Sequence, residues 1–444
     1  MPLEAPARQD NEQLTVDLVA DPLLVATRLT EAGLSETHVL YERSGEFAVA
    51  LGAAARITVT RTEITLVAGD LHRTLPWQRT PLERIGELLA QLPFTGWRAY
   101  GWAGFEFAYA HAGLLDQVGE DPLLHFVIPA VEARLTEGAA VVTGTDPALL
   151  AKVAALLAEP VAEPTYQAVP VELGEAGAEQ YRAAVAGAIE EIRAGRLQKV
   201  ILSRVVPVEQ PVDLAGTYLV GRRRNTPARS FLLDLGGIRA AGFSPETVLE
   251  VDAHGRVTTQ PLAGTRALTG SAEEDQRLEQ DLLRDSKEIY EHAISVKVAH
   301  DELAELCRPG SVDVHGFMSV KKRGSAQHLA STVTGELPAG EGPWGAFAAL
   351  FPAVTSTGVP KRAAYETIAR HESEPRGLYS GAVFRADSDG TLDAALVLRT
   401  VFQRAGRTWL RAGAGIIEQS DPDRELEETC EKLRSVAPHL VRGN

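Results

Sequence analysis

Gly195-Arg196-Leu197-Gln198-Lys199-Val200-Ile201-Leu202-Ser203-Arg204 is the stretch on which the fold turns. A helical pattern runs into it from Ala176 to Ala194, and Gly195 closes that helix with the left-handed backbone a C-cap favours. The apolar run Val200-Ile201-Leu202 reads as a buried strand entered directly from the helix. Upstream, segments between Thr37 and Val67, such as Phe47–Leu51 and Ile64–Val67, alternate as antiparallel strands. Gly101–Phe107 combines aromatic residues and glycines, as a packed sheet requires. A helix at Leu149–Leu157 leads into a Pro- and Glu-rich stretch, Glu159–Pro164, the best linker in the chain. It divides an N-terminal strand-rich portion, 1–170, from a second portion, 171–444, and the two are expected to pack as one unit. Downstream come strands at Ser230–Leu235 and Thr247–Val251. One long helix is predicted from Ser271 to Leu306, ended by Pro309-Gly310. Strands resume at Gly381–Arg385, Leu392–Val401 and Leu410–Ile417, and a helix from Pro422 to Val436 follows. This order predicts an α+β fold of large antiparallel sheets with flanking helices.

The formal net charge is −16, spread along the chain, which argues against nucleic acid as the main partner because phosphate binding needs a concentrated positive patch. Cys307 and Cys430 lack CxxC spacing and read as reduced, buried thiols. Residues 1–12 are polar and predicted to fray. Met1-Pro2-Leu3-Glu4-Ala5-Pro6 lacks the basic-then-apolar pattern of a leader, and no run of about 18 apolar residues occurs. These features predict a cytoplasmic location.

Two glutamate pairs carry the first chemical signal. Glu288 and Glu291, and Glu425 and Glu428, each stand three residues apart, which puts both carboxylates of a pair on one helix face. Such pairs are ordinarily solvated surface. Two faces opposed would instead make an all-oxygen site suited to Mg²⁺ over zinc or copper. Lys199 stands at the mouth of an apolar strand, where burial would lower its pKa and let the neutral amine act as a base. The plainer reading is a lysine snorkelling from a strand end. Pro261-Leu262-Ala263-Gly264-Thr265-Arg266 and Arg411-Ala412-Gly413-Ala414-Gly415-Ile416 read as glycine-rich turns able to offer backbone N–H groups to an anion. Arg399, following Ala394–Leu398 in an expected central strand, needs an anionic partner, either an internal carboxylate or a bound ligand. No GxxxxGK[ST], GxSxG or HExxH motif competes with these features.

Together these segments resemble the chorismate-utilising enzyme family, which includes anthranilate, aminodeoxychorismate, isochorismate and salicylate synthases. The resemblance covers about Gln180 to Val441. It rests on Lys199–Arg204, Gly242-Phe243-Ser244-Pro245-Glu246, Pro261–Arg266, Ser286–His292, Gln327–Ser331, Gly377–Gly381, Arg411–Ile416 and Glu425–Lys432, in the family's order. It implies the fold of anthranilate synthase component I. Water-using members have a lysine where Lys199 stands, whereas ammonia-using anthranilate synthases usually carry glutamine. Aminodeoxychorismate synthases have a lysine where this chain has Ala263. Both positions imply water as nucleophile. Arg223–Leu233 and Leu350–Thr355 are most similar to the mycobactin-type (siderophore) salicylate synthases. Gln260 departs from the family, which carries an acidic residue there.

The resemblance further implies Mg²⁺ held by Glu291, Glu425 and Glu428, with Glu288 beside it. Tyr379, Arg399, the amides of Gly413 and Gly415, and Lys432 would bind chorismate's enolpyruvyl carboxylate, with Thr265, His328 and Thr355 completing the pocket. Lys199 would be the base and Glu246 the acid. The reaction implied is chorismate to isochorismate and then to salicylate and pyruvate, with release of isochorismate as the alternative. No glutaminase partner is implied, unless the chain were an anthranilate synthase-type subunit.

Overall fold

The computed structural model describes residues 12–77, 81–324 and 326–443. The readings on residues 1–11 lie outside them. Two antiparallel sheets stack face to face, and both draw strands from either side of residue 170. In the first sheet, His38–Arg43 pairs with Arg229–Leu235, which pairs with Ile238–Ser244. That sheet continues through Thr400–Arg404 and Arg407–Ile416 to Lys199–Pro207. In the second, Arg98–Ala103 lies beside Ala382–Asp387, followed by Leu392–Leu396, Thr247–Val251, Arg256–Thr259, Ala326–Glu336 and Leu262–Ala267.

The period-two alternation of the strands produces the stacking. Val39, Tyr41, Phe231, Leu233 and Phe402 of the first sheet meet Tyr100, Trp102, Val383 and Ala395 of the second in one buried cluster. The alternate residues Leu40, Leu232 and Ala241 turn the other way, into a core shared with helices Pro22–Glu31, Pro147–Ala158 and Leu214–Arg224. Helices Ser286–Leu306 and Pro343–Leu350 cover the outer face of the second sheet. The expected α+β architecture is what the chain adopts.

Four local expectations are corrected. The predicted helix 271–306 is two helices, Ala272–Leu282 and Ser286–Leu306. The Asp285 side chain accepts hydrogen bonds from the N–H groups of Lys287 and Glu288, so a new N-cap starts there, worth about 1 kcal/mol. The predicted strand Leu392–Val401 breaks at Val397–Arg399, where the chain leaves one sheet for the other and Arg399 takes φ +50°. The glycine-rich segment Pro261–Arg266, read as a turn, is mostly strand, Leu262–Ala267, with a bulge between Ala263 and Thr265, while Arg411–Ile416 lies within Arg407–Ile416, the strand expected at Leu410–Ile417. The helix begun at Pro422 ends at Leu433.

Residues 159–164 carry no regular element and are tethered by Arg28–Glu159 and Arg223–Glu163 ion pairs. Cys307 and Cys430 are buried and unbridged. Among the described residues no helix is long and apolar enough to cross a membrane.

Candidate active site

Where Lys199–Pro207 and Arg407–Ile416 run side by side, the two sheets and helices Ser286–Leu306 and Pro422–Leu433 line a cleft. Eleven of the predicted site residues line it: Glu246, Thr265, Glu291, His328, Thr355, Tyr379, Arg399, Gly413, Gly415, Glu428 and Lys432. Lys199, Glu288 and Glu425 stand immediately behind its wall.

Lys199 opens its strand with a fully buried side chain. Its Nζ lies 3.0 Å from Glu291 Oε1 and donates to Ser295 Oγ at 3.2 Å. The Glu291 carboxylate is an opposite charge that the sequence reading did not supply. Across the cleft, Glu246 precedes strand Thr247–Val251 and accepts a 2.6 Å hydrogen bond from Thr355 Oγ1. Burial raises its carboxyl to about 8, against smaller opposing effects of Thr355 and Lys199. Glu246 is therefore protonated at neutral pH.

The four remaining carboxylates come from the first turns of two helices and the turns just after them, as the three-residue spacing requires. Each meets one cation. Lys287 bonds Glu425 at 2.7 Å, Lys432 bonds Glu428 at 2.8 Å, Arg266 stands 3.2 Å from Glu288, and Lys199 holds Glu291. Burial, and then the charges of Glu291 and Glu428, lift Glu288 to about 7. Burial and Glu428 likewise raise Glu425 against the pull of Lys287. For Glu428 burial acts upward but is outweighed by Lys432 and Lys287, which hold it down at about 2. Glu425 Oε2 is buried with no hydrogen-bond partner. Among the described residues no three Asp, Glu, His or Cys side chains already form a metal cage.

Arg399 lines the cleft. Its Nη1 donates to the Arg323 carbonyl at 2.8 Å and its Nη2 to His328 Nε2 at 2.8 Å. Among the described residues no carboxylate pairs with it. Burial and then Arg323 lower it to about 10, which still leaves it cationic at neutral pH. Burial, then Arg399 and Lys432, push His328 well below its usual range, so the ring is neutral. With Nε2 accepting from Arg399, Nδ1 carries the proton toward Thr265 Oγ1, 3.0 Å away. Lys432 Nζ donates to the Gly413 carbonyl at 2.8 Å. In an antiparallel strand a residue's N–H and C=O leave on the same side, so the Gly413 N–H also faces the cleft.

Two glycines are dictated by this crowding. Gly264 takes φ +84° at the bulge, and this turns the Thr265 N–H onto Glu288 Oε2 at 3.1 Å. A Cβ on Gly415 would overlap the Glu291 carboxylate, meeting its Cδ at 2.8 Å. Gly415→Ala is therefore expected to displace Glu291 and cut turnover at least tenfold while the melting temperature stays within a few degrees. Unchanged kinetics would show that Glu291 has room to move.

Sequence reasoning missed Arg411, which lines the cleft but is committed elsewhere. It donates to Ser203 Oγ, the Pro375 carbonyl and Glu372 Oε2 at 2.9, 2.8 and 2.6 Å. Arg376 joins Glu372 from its other side, and both guanidinium groups flank the Tyr379 ring. Lys287 and Arg266 were missed too. Both lie inside the quoted motifs, but only the folded chain brings them to the carboxylates. Gln260 donates to Thr332 Oγ1 at 3.3 Å, so it serves a contact between neighbouring strands.

The model of a chorismate-binding enzyme matches residues 36–438. A salicylate synthase of Mycolicibacterium paratuberculosis is 44% identical over 96% of this chain and 93% of its own length. An anthranilate synthase component 1 of Haloferax volcanii is 40% identical over 60% of this chain and 51% of its own length. Among solved structures, anthranilate synthase component I of Streptococcus pneumoniae superposes with a TM-score of 0.74 at 26% identity, covering 89% of this chain and 92% of that one. The menaquinone-specific isochorismate synthase of Escherichia coli shares the fold, with a TM-score of 0.73 at 21% identity over 98% of this chain and 96% of that one. A match of this extent settles the family: the chain belongs to the chorismate-binding enzymes.

Proposed function

We propose that this enzyme converts chorismate through isochorismate to salicylate and pyruvate. The observation that carries the reading is identity to a salicylate synthase at 44% along nearly the whole of both chains. The cleft supplies the parts such chemistry needs. Glu246 is a protonated acid at neutral pH, positioned to protonate the C4 hydroxyl as it leaves. Lys199 is a buried amine on the opposite side, the candidate base for water attacking C2. Arg399 without a carboxylate, Tyr379, Lys432 and the Gly413 N–H suit the enolpyruvyl carboxylate, with Gly415, Thr265 and His328 beside them. The second step is an intramolecular hydrogen transfer from C2 to the enolpyruvyl methylene as the C3–O bond breaks. It needs a held conformation more than a further acid or base.

The donor set fits Mg²⁺: all ligands are oxygen, and Glu425 Oε2 is buried without a partner. Glu291, Glu425 and Glu428 would hold the ion, with Glu288 beside it. When bound, Mg²⁺ would neutralise and orient the ring carboxylate of chorismate. Glu291 links the two halves of the site, because the carboxylate that would serve the metal is the one now paired with Lys199. The reading requires no glutaminase partner and is compatible with a cytoplasmic enzyme.

The test is incubation with chorismate and Mg²⁺ followed by chromatographic identification of products. Salicylate and pyruvate in equal amounts are expected, with the reaction stopped by EDTA and restored by Mg²⁺. Accumulating isochorismate would select the alternative of an isochorismate synthase. Turnover undiminished in metal-free buffer would remove the metal from the proposal.

A further inference from the structure

Lys287 belongs to none of the roles assigned above, yet its ammonium lies among the carboxylates. It leaves the first turn of helix Ser286–Leu306 and bonds Glu425 Oε1 at 2.7 Å, bridging to helix Pro422–Leu433. Glu425 is fully buried, whereas the Lys287 side chain is 22% exposed, so the lysine reaches in from the surface. The surface it comes from is a second cleft, lined by Leu197, Gln198, Lys287, Tyr290 and Gln419, which shares no lining residue with the chorismate cleft. Its charge also acts on Glu288 and Glu428.

We propose that Lys287 is an internal counter-ion that competes with a divalent cation for Glu425, withdrawing into the second cleft when the cation binds. This deepens the Mg²⁺ reading and rests on it. One carboxylate bonded to an ammonium at 2.7 Å offers a dication only its second oxygen, and the two cations repel across a few ångströms of low-dielectric interior. Lys287 differs from Lys432, which is pinned from two sides by Glu428 and the Gly413 carbonyl. Glu425 holds Lys287 from one side only, with an open cleft behind it. Lysine's flexible four-carbon stem suits such a withdrawal. Lys287 is thus a positioning residue for the metal site, setting the affinity and sparing the metal-free protein an uncompensated, buried Glu425.

The experiment is isothermal titration of the metal-free full-length protein with MgCl₂, without chorismate, comparing wild type with Lys287→Met and Lys287→Arg. Lys287→Met is expected to bind Mg²⁺ at least tenfold more tightly and to melt at lower temperature when metal-free. Lys287→Arg, which keeps the charge, should stay within a few-fold of wild type. Equal or weaker binding by Lys287→Met overturns the proposal and makes Lys287 a strut that shapes Glu425. Wild type that binds no Mg²⁺ overturns both this inference and the metal reading beneath it. Should Lys287→Met fail to fold, wild-type protein can be acetylated with acetic anhydride and mapped by mass spectrometry. Lys287 should be protected without Mg²⁺ and labelled at saturating Mg²⁺, and equal labelling in both states rejects the competition.

Discussion

Lys199→Ala should lower the conversion of chorismate to isochorismate by about 10²–10⁴-fold, the range a positioned general base contributes. The side chain is fully buried at the start of its strand, and its Nζ has two neighbours, Glu291 and Ser295. Surface loss cannot explain an effect of that size, because no part of this lysine is at the surface. Two consequences follow, and the second separates a base from a structural counter-ion. Removing the amine leaves Glu291 without its cation, so the variant should lose stability, about 3 kcal/mol for a broken buried pair. Isochorismate supplied directly should still be converted to salicylate and pyruvate, because the hydrogen transfer asks for no base. A variant that processes chorismate at the wild-type rate would end the assignment. One that loses both steps equally would make Lys199 a support for the cleft as a whole.

Glu246→Gln is expected to give a comparable loss, again about 10²–10⁴-fold. The amide is nearly isosteric and its oxygen can still accept from Thr355 Oγ1, so chorismate affinity should change little. The pH profile carries the stronger evidence. Burial raises this carboxyl to about 8, so the proton-donating form persists through neutrality and disappears as pH rises further. Turnover limited by the acid should therefore fall as pH climbs through about 8, and the residual activity of the glutamine variant should lack that limb. An alkaline limb of the same position in Glu246→Gln would assign it to another group.

Much of this site was legible in the chain because its chemistry sits in short, locally ordered segments. Lys199 is fixed by the helix end at Gly195 and the apolar strand after it. The glutamate pairs are fixed by helical spacing. What escaped depends on contacts between distant residues. Lys287 and Glu425 are 138 positions apart, and Arg411 and the Ser203 hydroxyl it donates to are 208 apart. The break before Ser286 was hidden because helical periodicity continues across it, although Asp285 with its capping bonds was there to be read. The helix Pro22–Glu31 likewise carries a visible Asp21 cap followed by proline. The strand Asp313–Arg323 had no alternation to betray it, since much of it faces solvent. Arg399 looked like strand interior because the jump between sheets is a property of two sheets, not of one segment.

Water as nucleophile is the central claim, and oxygen isotope transfer tests it directly. In ¹⁸O-enriched water with Mg²⁺, attack at C2 places a solvent oxygen on the ring, and that oxygen becomes the phenolic oxygen once pyruvate has left. Mass spectrometry of the salicylate should find one ¹⁸O per molecule, located on the phenol. Unlabelled salicylate would mean that the oxygen came from chorismate itself, and would contradict the roles given to Lys199 and Glu246.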